Sequence, residues 1–147
     1  MARTNDSSLQ QEIYAWLKAN QYAYLATCDK KQPRVRPVVL FYIDDRFWVV
    51  TFSGDSKVQQ IADNGAIEVC LPLTEAGHTG YIRFSGNARI WRDQTEKREA
   101  MEFCYFFDEY FDSVDDPDFT LIKLDLTAAE YLRPAETYSQ SCALRRY

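Results

Sequence analysis

VRPVVLFYIDDRFWVVTF, residues 35–52, is the stretch on which the reading of this chain turns. Two apolar runs, VRPVVLFYI (35–43) and RFWVVTF (46–52), are separated only by Asp44 and Asp45. Both are rich in Val and aromatic residues, which suit a pleated strand. A two-residue acidic link allows a tight turn and nothing longer, so the runs read as a β-hairpin. Neither run alternates cleanly between apolar and polar residues. VVLF and FWVV therefore need cover on both faces, from helices or from a second chain.

Outward from the hairpin, YAYLATC (22–28) reads as a strand and DKKQP (29–33) as the turn into the hairpin. Before it, Leu9, Ile13, Trp16 and Leu17 follow helical spacing. Ser7 or Ser8 can cap that helix, Ser8 and Gln11 have the spacing of a capping box, and Asn20 can end it. After the hairpin, 56–64 reads as a short helix closed by Gly65. AIEVCLPL (66–73) is a fourth strand, TEAGHTG (74–80) a loop, and YIRFSGNARIWR (81–92) a fifth strand in which Gly86 marks a bulge or bend. Asp93 and Glu96 have capping-box spacing for a helix running to about residue 111. DSVDDPD (112–118) is an acidic loop and FTLIKLDL (119–126) the last strand, which AEYLRP (129–134) can extend. The order α-β-β-β-α-β-β-α-β argues against a parallel βαβ sheet, which needs a helix between most successive strands. A mainly β chain follows, with an antiparallel sheet curled into a small barrel and helices outside it.

The 147 residues suffice for one domain with a real core, here 1–147, with the core over about 10–132 and a tail at 133–147. A net charge of −5 disfavours nucleic acid as a partner. The first twenty residues lack a cationic start and a long apolar run, so no signal peptide is expected, and no membrane span is expected anywhere. Cys28, Cys70, Cys104 and Cys142 show neither CxxC nor zinc spacing, which points to reduced thiols in a cytoplasmic protein. Cys142, in a polar tail, is the one expected to be exposed. The lone histidine, His78, sits between glycines with no serine nucleophile motif nearby. The acidic run from Asp112 to Asp118 lacks the Gly and terminal Glu of a calcium loop. No metal site is expected.

TFSGDSK (51–57) carries the chemistry. A turn needs Gly and Asp, but not Thr51, Ser53, Ser56 and Lys57 together. Hydroxyls, a lysine and the free N–H groups of a helix start are what an anion needs. The plain alternative is Ser56 capping a helix with Lys57 in solvent. Arg34 and Arg36 alternate with Val35 and Pro37 and so share a face. Pro37 lacks an N–H and suits a break in strand pairing. Arg89 and Trp91 also share a face, where they could cover a ligand or an interface.

Arg36-Pro37-Val38-Val39 opening a strand, Thr51 at the end of the next, Lys57 six residues later and the G-x-A-x-I strand (Gly86, Ala88, Ile90) together resemble the pyridoxamine 5′-phosphate oxidase-like family of FMN-binding split barrels, its small general-stress-protein-like members especially. The likeness spans roughly residues 10–132. It implies a six-stranded antiparallel split barrel and an obligate homodimer with cofactor sites at the interface. It assigns FMN as cofactor, with Arg36 and Val38 in the strand along the flavin ring and Thr51 and Lys57 at the flavin and its phosphate; Pro37 and Val39 share that strand, and the hydroxyls of Ser53 and Ser56 are further candidates for the phosphate. Trp91 is a candidate cover. Position 56 departs from the pattern, because the family's oxidases often have Arg there.

The resemblance implies a flavin-dependent oxidoreductase of unknown substrate. The alternatives are a non-catalytic binder of FMN, deazaflavin or haem used for storage or sensing, and a dimeric scaffold whose site has decayed. The tail ETYSQSCALRRY does not match the substrate segment of pyridoxamine phosphate oxidases.

Overall fold

A computed structural model describes residues 6–145. Its elements in chain order are α1 (Asp6–Ala15), β1 (Asn20–Asp29), β2 (Gln32–Ile43), β3 (Arg46–Phe52), α2 (Ser56–Asp63), β4 (Ala66–Glu75), β5 (His78–Trp91), α3 (Gln94–Phe103), α4 (Phe107–Tyr110), β6 (Phe119–Leu132) and β7 (Gln140–Ala143). All strand pairings are antiparallel. The sheet runs β3-β2-β1-β4-β5-β6-β7, and a further pairing of β3 with β6 closes the first six strands into a barrel. The chain is mainly β, a split barrel with helices on its outside.

The hairpin forms as its sequence dictates. Asp44 and Asp45 both take positive φ, 48° and 60°, as a two-residue turn between right-twisted strands requires. The pairing it starts is short, covering Phe41–Ile43 against Arg46–Trp48. Beyond it the strands part. β2 stays with β1 along its length, and β3 stays with β6 from Phe47 to Phe52. This parting is the split in the barrel.

Inward residues of the hairpin (Val38, Leu40, Phe47, Val49) join a core with Leu25, Val69, Ile82, Phe84 and Ile122. Leu9 and Ile13 of α1 and Ile61 of α2 belong to the same core. Outward residues (Phe41, Ile43, Trp48, Val50) join a second core with Ala100, Cys104, Phe107, Phe111, Phe119 and Leu121. Cover on both faces, which the apolar runs demanded, thus comes from within the chain at this end of the sheet. Burying each such side chain contributes about 1.5–3 kcal/mol.

Several boundaries differ from the sequence reading. Ser7 and Ser8 lie inside α1 rather than capping it, and Asn20 opens β1 rather than closing the helix. The expected loop 74–80 is mostly strand: Glu75 pairs with His78, and Ala76-Gly77 alone make the turn, with φ of 51° and 79°. Asp93 caps α3 by accepting from the Glu96 N–H. Glu96 does not complete the box, because its carboxylate takes Lys123 at 2.8 Å and Arg46 at 3.4 Å. The helix ends at Phe103, and the chain turns before α4 instead of running on to 111. The bulge expected at Gly86 is present, but the extra residue is Thr127 on β6. The tail adds a seventh strand to the expected six, as β7 pairs with β6 beside the point where β3 leaves it.

β7 buries Cys142, against the expectation of exposure, because strand alternation points it at the core while its polar neighbours face out. None of the four cysteines is in a disulfide. Burial pushes the Cys104 thiol up to about 11. A thiol reagent at mildly alkaline pH should therefore titrate the half-buried Cys28 and Cys70 in the native protein and all four in denaturant. Four rapidly reacting native thiols would show that Cys104 and Cys142 are not enclosed.

Candidate functional site

Where β2 and β3 part, a groove of about 260 Å³ opens. One wall is Pro37, Val38 and Val39; the other is Val49, Val50, Thr51 and Phe52; Phe106, Tyr110 and Phe111 close one side and Lys57 lies at an end. The strand edges face the groove beyond the last ladder pair, so the slot is apolar in side chains yet bordered by backbone. Pro37 fits that position, because a residue without an N–H costs nothing where no ladder partner exists.

Lys57 is buried, 6% exposed, and not in solvent. Its ammonium donates to Thr51 Oγ1 at 2.8 Å and pairs with Asp55 Oδ1 at 2.9 Å. The cap of α2 is Asp55 rather than Ser56: its side chain accepts from the Lys57 N–H at 3.0 Å. One carboxylate oxygen thus sits on both the helix N-terminus and the buried ammonium. Burial alone would raise the Asp55 pKa. The hydrogen bonds from Lys57, with the charges of Lys57 and Arg36, outweigh burial and hold it below the ordinary carboxylate value. The carboxylate therefore stays ionised through neutral pH.

Arg36 points the same way as Val38 and Leu40 but lies outside the groove lining. Its guanidinium donates to Leu25 O at 3.2 Å, Thr27 Oγ1 at 2.7 Å and Gln60 Oε1 at 2.7 Å. Thr27, itself buried, donates to the same Gln60 oxygen at 2.6 Å. Burial lowers the Arg36 pKa, Asp55 raises it and Arg34 lowers it; a guanidinium remains charged regardless. Arg34 sits further out, paired with Asp29 at 3.2 Å.

Of the nine residues singled out from sequence, Pro37, Val38, Val39, Thr51 and Lys57 meet in one groove, and Arg36, outside its lining, interacts electrostatically with Asp55. Ser53 turns away, bonding Pro117 O and Thr120 Oγ1, both at 2.7 Å. Ser56 is exposed on the first turn of α2. Trp91 does not line this groove. Its ring lies under Lys123 Nζ at 4.4 Å and the Arg89 guanidinium at 4.9 Å, beside the second core.

Sequence reasoning missed Asp55, Thr27, Gln60 and the aromatics of 106–111. Asp55 had a signal, being an acceptable cap one residue before Ser56. The aromatics had one too, since CYFFDEYF is far too apolar for the solvated end of a helix. Thr27 and Gln60 had none, because their role depends on contacts distant in sequence. Among the described residues, no group of three or more His, Cys, Asp or Glu is placed to hold a metal. No helix among them is long and apolar enough to cross a membrane.

Comparison with known proteins agrees with this architecture. No curated protein matches the chain. Solved structures do. A NimC/NimA family protein from Clostridium acetobutylicum superposes with a TM-score of 0.74 at 22% identity, over 92% of each chain. General Stress Protein 26 from Bacillus anthracis gives 0.73 at 22% identity, over 92% of this chain and 98% of that one. A heme binding protein from Mycobacterium smegmatis gives 0.75 at 13% identity, over 97% of this chain and 60% of that one. At these identities the likeness establishes the fold. The family model for pyridoxamine 5′-phosphate oxidase matches residues 9–133, and with most of its length so matched the chain belongs to the pyridoxamine 5′-phosphate oxidase family.

Proposed function

We propose that this protein is a flavin-binding oxidoreductase, with FMN as the candidate cofactor, acting as a cytoplasmic homodimer. The observation that carries the reading is the groove between β2 and β3, whose walls are Pro37–Val39 and Val49–Phe52 and whose end is the buried Lys57. Its ring end suits a flavin: a mostly apolar slot between two strand edges, about 260 Å³, just below the usual range of ligand pockets. That size suits a ring system with its tail outside. The phosphate end has suitable donors in Lys57, Thr51 and the α2 N–H groups, but Asp55 already bonds two of them.

A bound flavin supplies hydride and electron transfer, and the protein supplies position and electrostatics. Val38, Val39, Val49 and Val50 would exclude water from the ring. Arg36, fixed by Thr27 and Gln60, is a preset positive charge near the site. No groove residue is a strong acid or base poised for proton transfer, which such chemistry tolerates. The haem alternative draws on one structural neighbour, but His78 lies at the β4–β5 turn and is not among the groove's lining residues.

Exposed apolar residues beside the groove support the dimer. Tyr22 pairs with Val39, Tyr24 with Pro37 and Ala26 with Val35, so these side chains share one outer face. Tyr22, Tyr24 and Val35 are exposed, as are Phe52, Tyr105 and Tyr110 around the groove mouth. An obligate interface buries more than about 2,000 Å², and this face offers a continuous place for it. Purified protein should carry flavin absorbance or take up added flavin, and sediment at twice 17.2 kDa. A Soret band would replace the flavin reading with the haem one. A stable monomer would remove the shared site.

A further inference from the structure

We propose that Asp55 is a specificity-determining residue: it occupies the position an anion would take at the α2 N-terminus, so the site holds its flavin by the ring and gains little from the 5′-phosphate. The ligand class is then a flavin ring system whose phosphate is optional, riboflavin as readily as FMN. This rests on the reading that the groove holds a flavin.

The argument is geometric. A phosphate at this helix start would sit on the free N–H groups and the nearest ammonium. Asp55 Oδ1 already lies 3.0 Å from the Lys57 N–H and 2.9 Å from Lys57 Nζ. Thr51 Oγ1, the next hydroxyl on the groove wall, accepts from the same ammonium at 2.8 Å. Lys57 is thus engaged on two sides while buried.

Charge points the same way. Lys57 and Arg36 bring two positive charges, and Asp55 cancels one. A phosphate monoester carries about −1.5 to −2 at neutral pH, which one net cation does not balance. Ser56, exposed on the first turn, supplies no second cation. Arg36 has three bonds inside the protein, to Leu25, Thr27 and Gln60, and would have to give some up to reach a phosphate. Binding FMN by its phosphate therefore forces a second anion against Asp55 in a partly buried place, where unbalanced charge is costly. A flavin without the phosphate leaves the Asp55–Lys57 pair intact.

The test is a titration of full-length wild type and Asp55→Asn with FMN and with riboflavin. Asn still caps a helix, so the fold is kept. Wild type should bind the two ligands within about tenfold of each other, and Asp55→Asn should tighten FMN about ten- to a hundredfold while riboflavin moves less than about threefold. Ser56→Arg should shift the preference in the same direction. A wild type that prefers FMN by more than about a hundredfold, or an Asp55→Asn that leaves FMN unchanged, would overturn the inference. Thermal unfolding in inorganic phosphate reads the anion position without any flavin. Phosphate should stabilise Asp55→Asn and leave wild type unmoved. If no flavin binds but phosphate behaves this way, the flavin reading falls and the role of Asp55 stands. Equal phosphate response in the two proteins overturns that role.

Discussion

Gly86→Val should lower the melting temperature by about 6–12 °C or prevent folding outright. A Cβ built at Gly86 would lie 2.0 Å from Asp125 O and 2.9 Å from Leu126 Cα. Both are backbone atoms of β6, so no side chain can swing aside. The β5–β6 ladder must open instead, at the bulge where Thr127 already strains the register. Overpacking of this kind costs about 3 kcal/mol or more, and for a chain of this size each kcal/mol is worth about 2–4 °C. The effect would reach the groove, because β6 also carries β3: Leu121 pairs with Val50 and Thr120 with Thr51. Gly54→Ala is the control, since a Cβ there meets nothing within 4 Å and should change stability by less than about 0.5 kcal/mol. Circular dichroism melts of the two variants decide it. A Gly86→Val protein melting within two or three degrees of wild type would mean that the strands separate there without cost.

The Gly86 position also shows what could be read before any coordinates. A glycine inside a long apolar strand has few reasons to exist, and close backbone approach is one of them. The hairpin was legible for the same kind of reason: two residues between two strand-like runs leave only one geometry. Local signals of that sort specified the barrel class, the cap at Asp93 and the edge left open at Pro37.

What was not legible depends on contacts distant in sequence. Phe107 and Phe111 continue the helical spacing of 94–103, so periodicity could not reveal the break at Cys104; the second core, packing Phe107 and Phe111 on Phe119, decides it. Cys142 sits among polar residues, and only pairing of β7 with β6 shows that the polar neighbours face outward. In the site, the sequence places the start of α2 correctly but offers Ser56 as a phosphate hydroxyl or, in the plain alternative, as the cap, and leaves Asp55 without a part, because Asp55 and Ser56 are both good caps in adjacent positions. That one-residue difference changes the chemistry. Without a part, Asp55 is a solvated turn residue and Lys57 is left to a ligand or to solvent. With Asp55 as cap, its carboxylate meets the ammonium of Lys57, which folds back over the first turn to Thr51.

Lys57→Met should weaken FMN binding about ten- to a hundredfold while riboflavin binding stays within about threefold. Methionine keeps much of the buried volume of the lysine stem and removes the charge, so the core around Thr51 is disturbed little. Asp55 keeps the α2 N–H as a partner and is 40% exposed at its side chain, so water can take up what the ammonium leaves. The binding effect follows from sign. In wild type the attraction of Lys57 and the repulsion of Asp55 act on the same phosphate and nearly offset each other. Without Lys57 the repulsion of Asp55 is no longer offset by it, and an attraction of about 1.5–3 kcal/mol is lost, which is the stated range in affinity. The double variant Asp55→Asn/Lys57→Met removes both terms and should again bind FMN and riboflavin about equally. Across the four proteins the two single effects on FMN are opposite and sum to that of the double, and riboflavin shows neither effect. Equal weakening of both flavins by Lys57→Met would instead assign Lys57 to the shape of the groove, acting through Thr51 and the end of β3. An unchanged FMN affinity would place the phosphate away from α2 altogether.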